Sequence, residues 1–64
     1  VVKINGKDVQ AVNVNLSQYL EENNYNIHHI AVEINEKIIS KSDFDKIFFK
    51  ENDVVEIVAF VAGG

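Results

Sequence analysis

The dipeptide Asn5-Gly6 does most to narrow the folds open to this chain. Both residues accept the positive φ that a two-residue primed turn demands, and Asn-Gly between alternating apolar positions is the strongest short hairpin signal. Val2 and Ile4 alternate with Lys3 and Asn5, so a half-buried strand leads into the turn. The return strand is expected over Val9 to Val12, with Val9 and Ala11 facing inward, while Val12 and Val14 leave its register open. A two-stranded hairpin is marginal alone, so its apolar face must be covered by elements further along the chain.

A helix comes next. Asn15 and Gln18 have the spacing of a capping box, and Leu16, Tyr19 and Leu20 fall on one face at i, i+3 and i+4. Asn23-Asn24 should end it, because asparagine tolerates the left-handed conformation of a C-terminal cap. Two turns of helix are unstable in water, so this one must pack on a sheet. Ile30, Val32 and Ile34 alternate with Ala31, Glu33 and Asn35 as a third strand, and Asn35-Glu36-Lys37 turns into Ile38-Ile39. Ser40 to Lys50 is irregular, with Phe44, Ile47, Phe48 and Phe49 as anchors closing one end of the core. Glu51-Asn52-Asp53 is a polar turn, and Val54 to Val61 is the last and longest strand. The order predicts an α+β roll: one domain over residues 1–64, a mixed sheet of four to five strands with one helix across one face. The helix crossover is long enough to return the last strand parallel to the first.

Composition removes several functions. The 64 residues contain no cysteine, which excludes disulfides, thiolate nucleophiles and cysteine-based zinc sites, and points to a cytoplasmic protein. Ten acids against six lysines scattered along the chain give a net charge of −4, which argues against nucleic-acid binding. No apolar run approaches the roughly 20 residues that cross a bilayer. His28 and His29 are adjacent and would point to different sides, with no third ligand at a recognised spacing. Serine, histidine and aspartate are present without a nucleophile elbow. The only glycines are Gly6, Gly63 and Gly64, so no loop can cradle a phosphate. A chain this small buries only about 60% of its unfolded surface, which favours a binding module or carrier over an enzyme.

The last strand has two unlike faces. Val55, Ile57, Ala59 and Val61 form an apolar face expected to lie against the helix. Val54, Glu56, Val58 and Phe60 form the other; the charge at Glu56 marks it as the solvent side, where Val58 and Phe60 would make an exposed patch beside the terminal glycines. The acids Asp43, Asp45, Glu51, Asp53 and Glu56 flank this strand as a solvated surface able to complement a basic partner.

Those residues carry a family resemblance. Ile4-Asn5-Gly6-Lys7, Val32-Glu33-Ile34-Asn35, Ile38-Ile39, Ser42-Asp43-Phe44, the run from Asn52 to Val58, and Phe60-Val61-Ala62-Gly63-Gly64 resemble the sulfur-carrier proteins of thiamine biosynthesis, in the ubiquitin-like β-grasp superfamily. The chain departs from the family pattern at Glu36, where many members have glycine, at Ser40, where many have proline, and in a short segment between Val12 and Leu16. The resemblance implies a β-grasp roll and a flexible tail over residues 62–64. It implies no catalytic residue, no metal and no cofactor bound by the chain. The carboxylate of Gly64 would be adenylated by an E1-like enzyme using ATP and magnesium, with Ala62 and Gly63 giving access to the tail and Phe60, Val58 and Glu56 docking the partner. A donor such as a cysteine desulfurase system would supply sulfur, and the thiocarboxylate would serve thiazole synthase. Alternative readings are the small subunit of molybdopterin synthase, another ubiquitin-like sulfur carrier or protein modifier, or a β-grasp interaction domain whose glycines are incidental.

Overall fold

In the computed structural model, which describes residues 1–60, Asn5 and Gly6 have φ of 50° and 82°, the paired positive values of a primed turn. The turn joins β1 (Val2–Ile4) to β2 (Lys7–Val9) with Val2 opposite Val9 and Ile4 opposite Lys7. The return strand therefore starts at Lys7, not at Val9, and it ends where it was expected to begin. A two-residue loop forces the residue after Gly6 to pair at once, whatever its polarity. Ala11 is nevertheless buried, while Val12 is exposed, in a turn beyond the strand.

Helix α1 (Leu16–Glu22) follows, with Leu16 and Leu20 fully buried and Tyr19 packed edge-on to Phe49 at 5.6 Å between ring centroids. Asn15 caps it, its Oδ1 accepting from the Gln18 N–H at 3.2 Å. Only this half of the capping box forms, because the Gln18 side chain donates to Glu22 instead. Asn24, at φ 63°, takes the left-handed conformation past the helix end.

A short 3-10 helix (Ile27–His29) leads into β3 (Ile30–Ile34), whose burial alternates as the sequence requires: Ile30, Val32 and Ile34 in, Ala31 and Glu33 out. Asn35 and Glu36, at φ 53° and 69°, make a second primed turn into β4 (Lys37–Ile39). Glutamate at the second position carries the strain that glycine would avoid. Ser40, by contrast, has φ −67°, a value proline itself would hold.

The segment read as irregular contains a 3-10 helix (Lys41–Lys46) and then docks by its backbone on the loop before α1. Asn13 and Leu16 donate to the carbonyls of Phe49 and Ile47 at 2.8 Å each, and Phe49 donates to Val14 at 3.0 Å. Along this β-like bridge successive side chains take opposite sides. Phe49 and Phe44 are buried, whereas Phe48 is 55% exposed, so Phe48 is not the core anchor expected.

β5 (Val54–Ala59) completes a five-stranded sheet ordered β2-β1-β5-β3-β4. It runs parallel to β1, with Ile4 beside Val55, and antiparallel to β3, with Val32 beside Ile57. Val55 and Ile57 reach the core with Val2, Ile4, Val32 and the two leucines of α1. Ala59 shares their face but is exposed, contrary to expectation. Its register partner on β3, Ile30, is buried, so the cover on this face reaches β3 at that level but not Ala59. The expected inward position of Val61 lies outside the described residues.

Candidate functional site

β5 is the central strand, and two asparagines fix it from opposite sides. On the β1 side, Lys3 and Asn5 donate their backbone N–H groups to the carbonyls of Asp53 and Val55 at 2.9 Å each. β1 then turns away, and Ile57 would face an empty ladder. The Asn5 side chain takes the missing strand's place: its Oδ1 accepts from the Ile57 N–H at 2.7 Å and its Nδ2 donates to the Ile57 carbonyl at 3.2 Å. On the β3 side, Asn35 donates its backbone N–H to Val54 at 2.8 Å, and its Oδ1 accepts from the Val54 N–H at 2.9 Å. Its Nδ2 also donates to Asp53, whose other oxygen accepts from the Lys50 N–H at 2.8 Å. Each asparagine is thus both a positive-φ turn residue and a strand substitute. The sequence signal was read only for the first role.

This bracing continues to the end of the described chain, where the Phe60 N–H donates to the His29 carbonyl at 2.9 Å. Strand β5 is therefore held along its length up to Phe60. Ala62, Gly63 and Gly64, named from the sequence as the reactive end and its approach, lie outside the described residues.

The outward face of β5 is as expected. Val58 and Phe60 are 60% and 48% exposed, and Glu56 shares their side of the sheet. The register adds neighbours that single-strand reading missed: Glu33 stands directly opposite Glu56, and Ala31 opposite Val58. Ile38 on β4, paired with Glu33, is 78% exposed. Lys41 lies with its Nζ 6.0 Å from the Phe60 ring centroid, at the outer limit of a cation–π contact. The face is a mixed surface of apolar side chains around two carboxylates. Alternation along β3 and β4, combined with the turn at Asn35-Glu36, holds the signal that would have placed Glu33 and Ile38 here.

Other candidates are not assembled into sites. His28 and His29 are exposed on the 3-10 helix capped by Asn26. Among the described residues no group of three metal-ligating side chains comes together. The expected acidic surface is partly structural: Asp53 spends both oxygens on the turn that starts β5, and Asp43 lies 3.9 Å from Lys46. No helix of the described residues is long and apolar enough to cross a membrane.

The comparisons with known proteins agree with one another. The model of the ThiS family matches residues 2–64. The sulfur carrier protein ThiS of Bacillus subtilis (strain 168) is 34% identical over 70 aligned positions that span 100% of both chains. An uncharacterized protein of Trieres chinensis, ycf40, is 36% identical over 62 residues, covering 95% of this chain and 85% of its own. The crystal structure of a thiamine biosynthesis protein (ThiS) from Geobacter metallireducens superposes with a TM-score of 0.73 at 25% identity, covering 98% of this chain and 97% of that one.

Proposed function

The chain belongs to the ThiS family, and from that premise we propose that it is a sulfur carrier of thiamine biosynthesis which acts as a co-substrate of partner enzymes. The observation that carries this reading is the match through Gly64 to a named carrier over the full length of both chains. The braced β5 supports it, since a strand fixed as far as Phe60 offers a partner a rigid surface at Val58 and Phe60.

The chemistry arises from the state of a terminal carboxyl. With a pKa of about 3.3 to 3.7 it is ionised at neutral pH and is a poor electrophile. An E1-like partner, using ATP and magnesium, would join the Gly64 carboxylate to the α-phosphorus and release pyrophosphate. A donor persulfide would then attack the acyl carbon through its outer sulfur and expel AMP, and a thiol would cleave the S–S bond of the resulting acyl disulfide, leaving a C-terminal thiocarboxylate and taking the donor sulfur away as a disulfide. Gly63 and Gly64 lack side chains, so a narrow channel can admit them. The absence of cysteine means the activated carboxyl cannot be captured by a thiol of its own chain. Thiazole synthase would accept the sulfur. Phe60, Val58 and Glu56 would dock the activating partner, with Glu33 and Ile38 extending the same face.

The test is intact mass after incubation with an active cognate adenylating enzyme, ATP and a sulfur donor. The expected gain is the difference between one sulfur and one oxygen atom, and deletion of Gly64 abolishes it. An unchanged mass for the intact chain overturns the proposal.

A further inference from the structure

Three of the six lysines, dispersed in the sequence, meet in space. Lys37 on β4, Lys46 at the end of its 3-10 helix and Lys50 before β5 rim a cleft of about 330 Å³. Ile34, Ile39, Ile47 and Phe48 line the same cleft. Phe48 is the aromatic that the backbone bridge turns outward, and it leaves more than half of its surface open there.

The charge balance of the cleft is opposite to that of the molecule. Among the described residues, Lys37 and Lys50 have no carboxylate within 4 Å, and Lys46 has only the loose contact with Asp43, both side chains being more than half exposed. Asp53 is the single acid in the lining, and its two oxygens already accept from the Asn35 side chain and the Lys50 N–H. Three lysines and four large apolar residues in one lining, on a chain of net charge −4, suit a ligand that is both acidic and apolar. A small anion would leave the apolar lining unused, and a nucleic acid would meet the repulsion of the whole chain.

We propose that this cleft is a second docking site, which takes an acidic peptide segment with apolar side chains from a partner protein. The cleft adjoins the start of β5, about 20 Å of strand away from Phe60. A partner held there leaves the far end of the strand free for a second protein. The proposal goes beyond the carrier reading and does not rest on it.

A capped hexapeptide alternating glutamate with leucine is the probe, titrated into the isotope-labelled chain and followed by amide chemical shifts. Saturable shifts are expected at residues 37–39 and 46–50, weakened by added salt. The double variant K46E/K50E and, separately, Lys37→Glu test the rim. The double charge reversal should weaken binding about tenfold, since each exposed pair contributes modestly. Phe48→Ala, on the exposed side of its bridge, should weaken binding at unchanged charge. Absence of saturable shifts, equal shifts with citrate alone, shifts centred on Val58 and Phe60, or affinity unchanged by the charge reversals would each overturn the proposal. The mass assay reads the other end of β5, so either reading can fail alone.

Discussion

Replacing Asn5 by glycine separates the two roles of that residue. Glycine keeps the positive φ of the turn, 50° in the native chain, and removes only the amide that stands beside Ile57. Two hydrogen bonds of 2.7 and 3.2 Å are lost at a part-buried position. At about 1 kcal/mol each, the loss is about 2 kcal/mol, and the greater chain freedom of glycine adds up to about 1 kcal/mol more. For a domain of this size that lowers Tm by about 10 °C or more. Asn13→Gly is the matched control. Asn13 also has positive φ, 69°, but its side chain makes no hydrogen bond among the described residues, so only the chain-freedom cost of glycine, up to about 1 kcal/mol, should remain. Urea melts followed by far-UV circular dichroism give both values, and amide exchange should quicken at Ile57 in the Asn5 variant. Equal, small effects of the two substitutions would refute the idea that Asn5 replaces a strand.

Glu36→Gly should raise stability by about 1 kcal/mol, because glycine relieves the positive φ of 69° at the second turn; denaturant midpoints decide it. Ile57→Asp should unfold the chain by burying an unpaired charge, whereas Phe60→Asp should fold normally and lose affinity for the activating partner, as read by calorimetry. Reversal of those two outcomes would mean the faces of β5 are misassigned. Burial, then the charge of Tyr25, raises the Tyr19 pKa above its usual value of 10.0. The phenolate absorbance of Tyr19 should therefore appear above that of a free tyrosine. Its contribution to stability is complete below the unfolded-state pKa and falls as pH rises through the folded-state one.

The parts of the fold legible in the sequence were those set by local rules. Asn5-Gly6 announced the hairpin, Asn15 the helix start, and strict alternation the inner face of β3. The parts that were not legible depend on partners distant in the chain. The backbone bridge between residues 13–16 and 47–49 carries no periodic signature, so Phe48 and Phe49 looked equivalent until the bridge gave them opposite sides. Ala59 continues the pattern of Val55 and Ile57, yet it is exposed while its register partner Ile30 is buried, a difference that alternation along one strand does not carry. For the candidate site, one strand displayed Val58, Phe60 and Glu56. Glu33 required a register, and the lysine cleft required three elements from different parts of the chain.

Strand order also bears on biosynthesis. The two hairpins cannot join into one sheet until β5 lies between them, and β5 is the last of the five described strands in chain order. A polypeptide interrupted before about residue 59 holds two orphan hairpins and a marginal helix, material for proteolysis instead of a stable domain. The architecture thereby acts as a length check. Only translation that has passed through β5 supplies the strand that joins the two halves of the sheet.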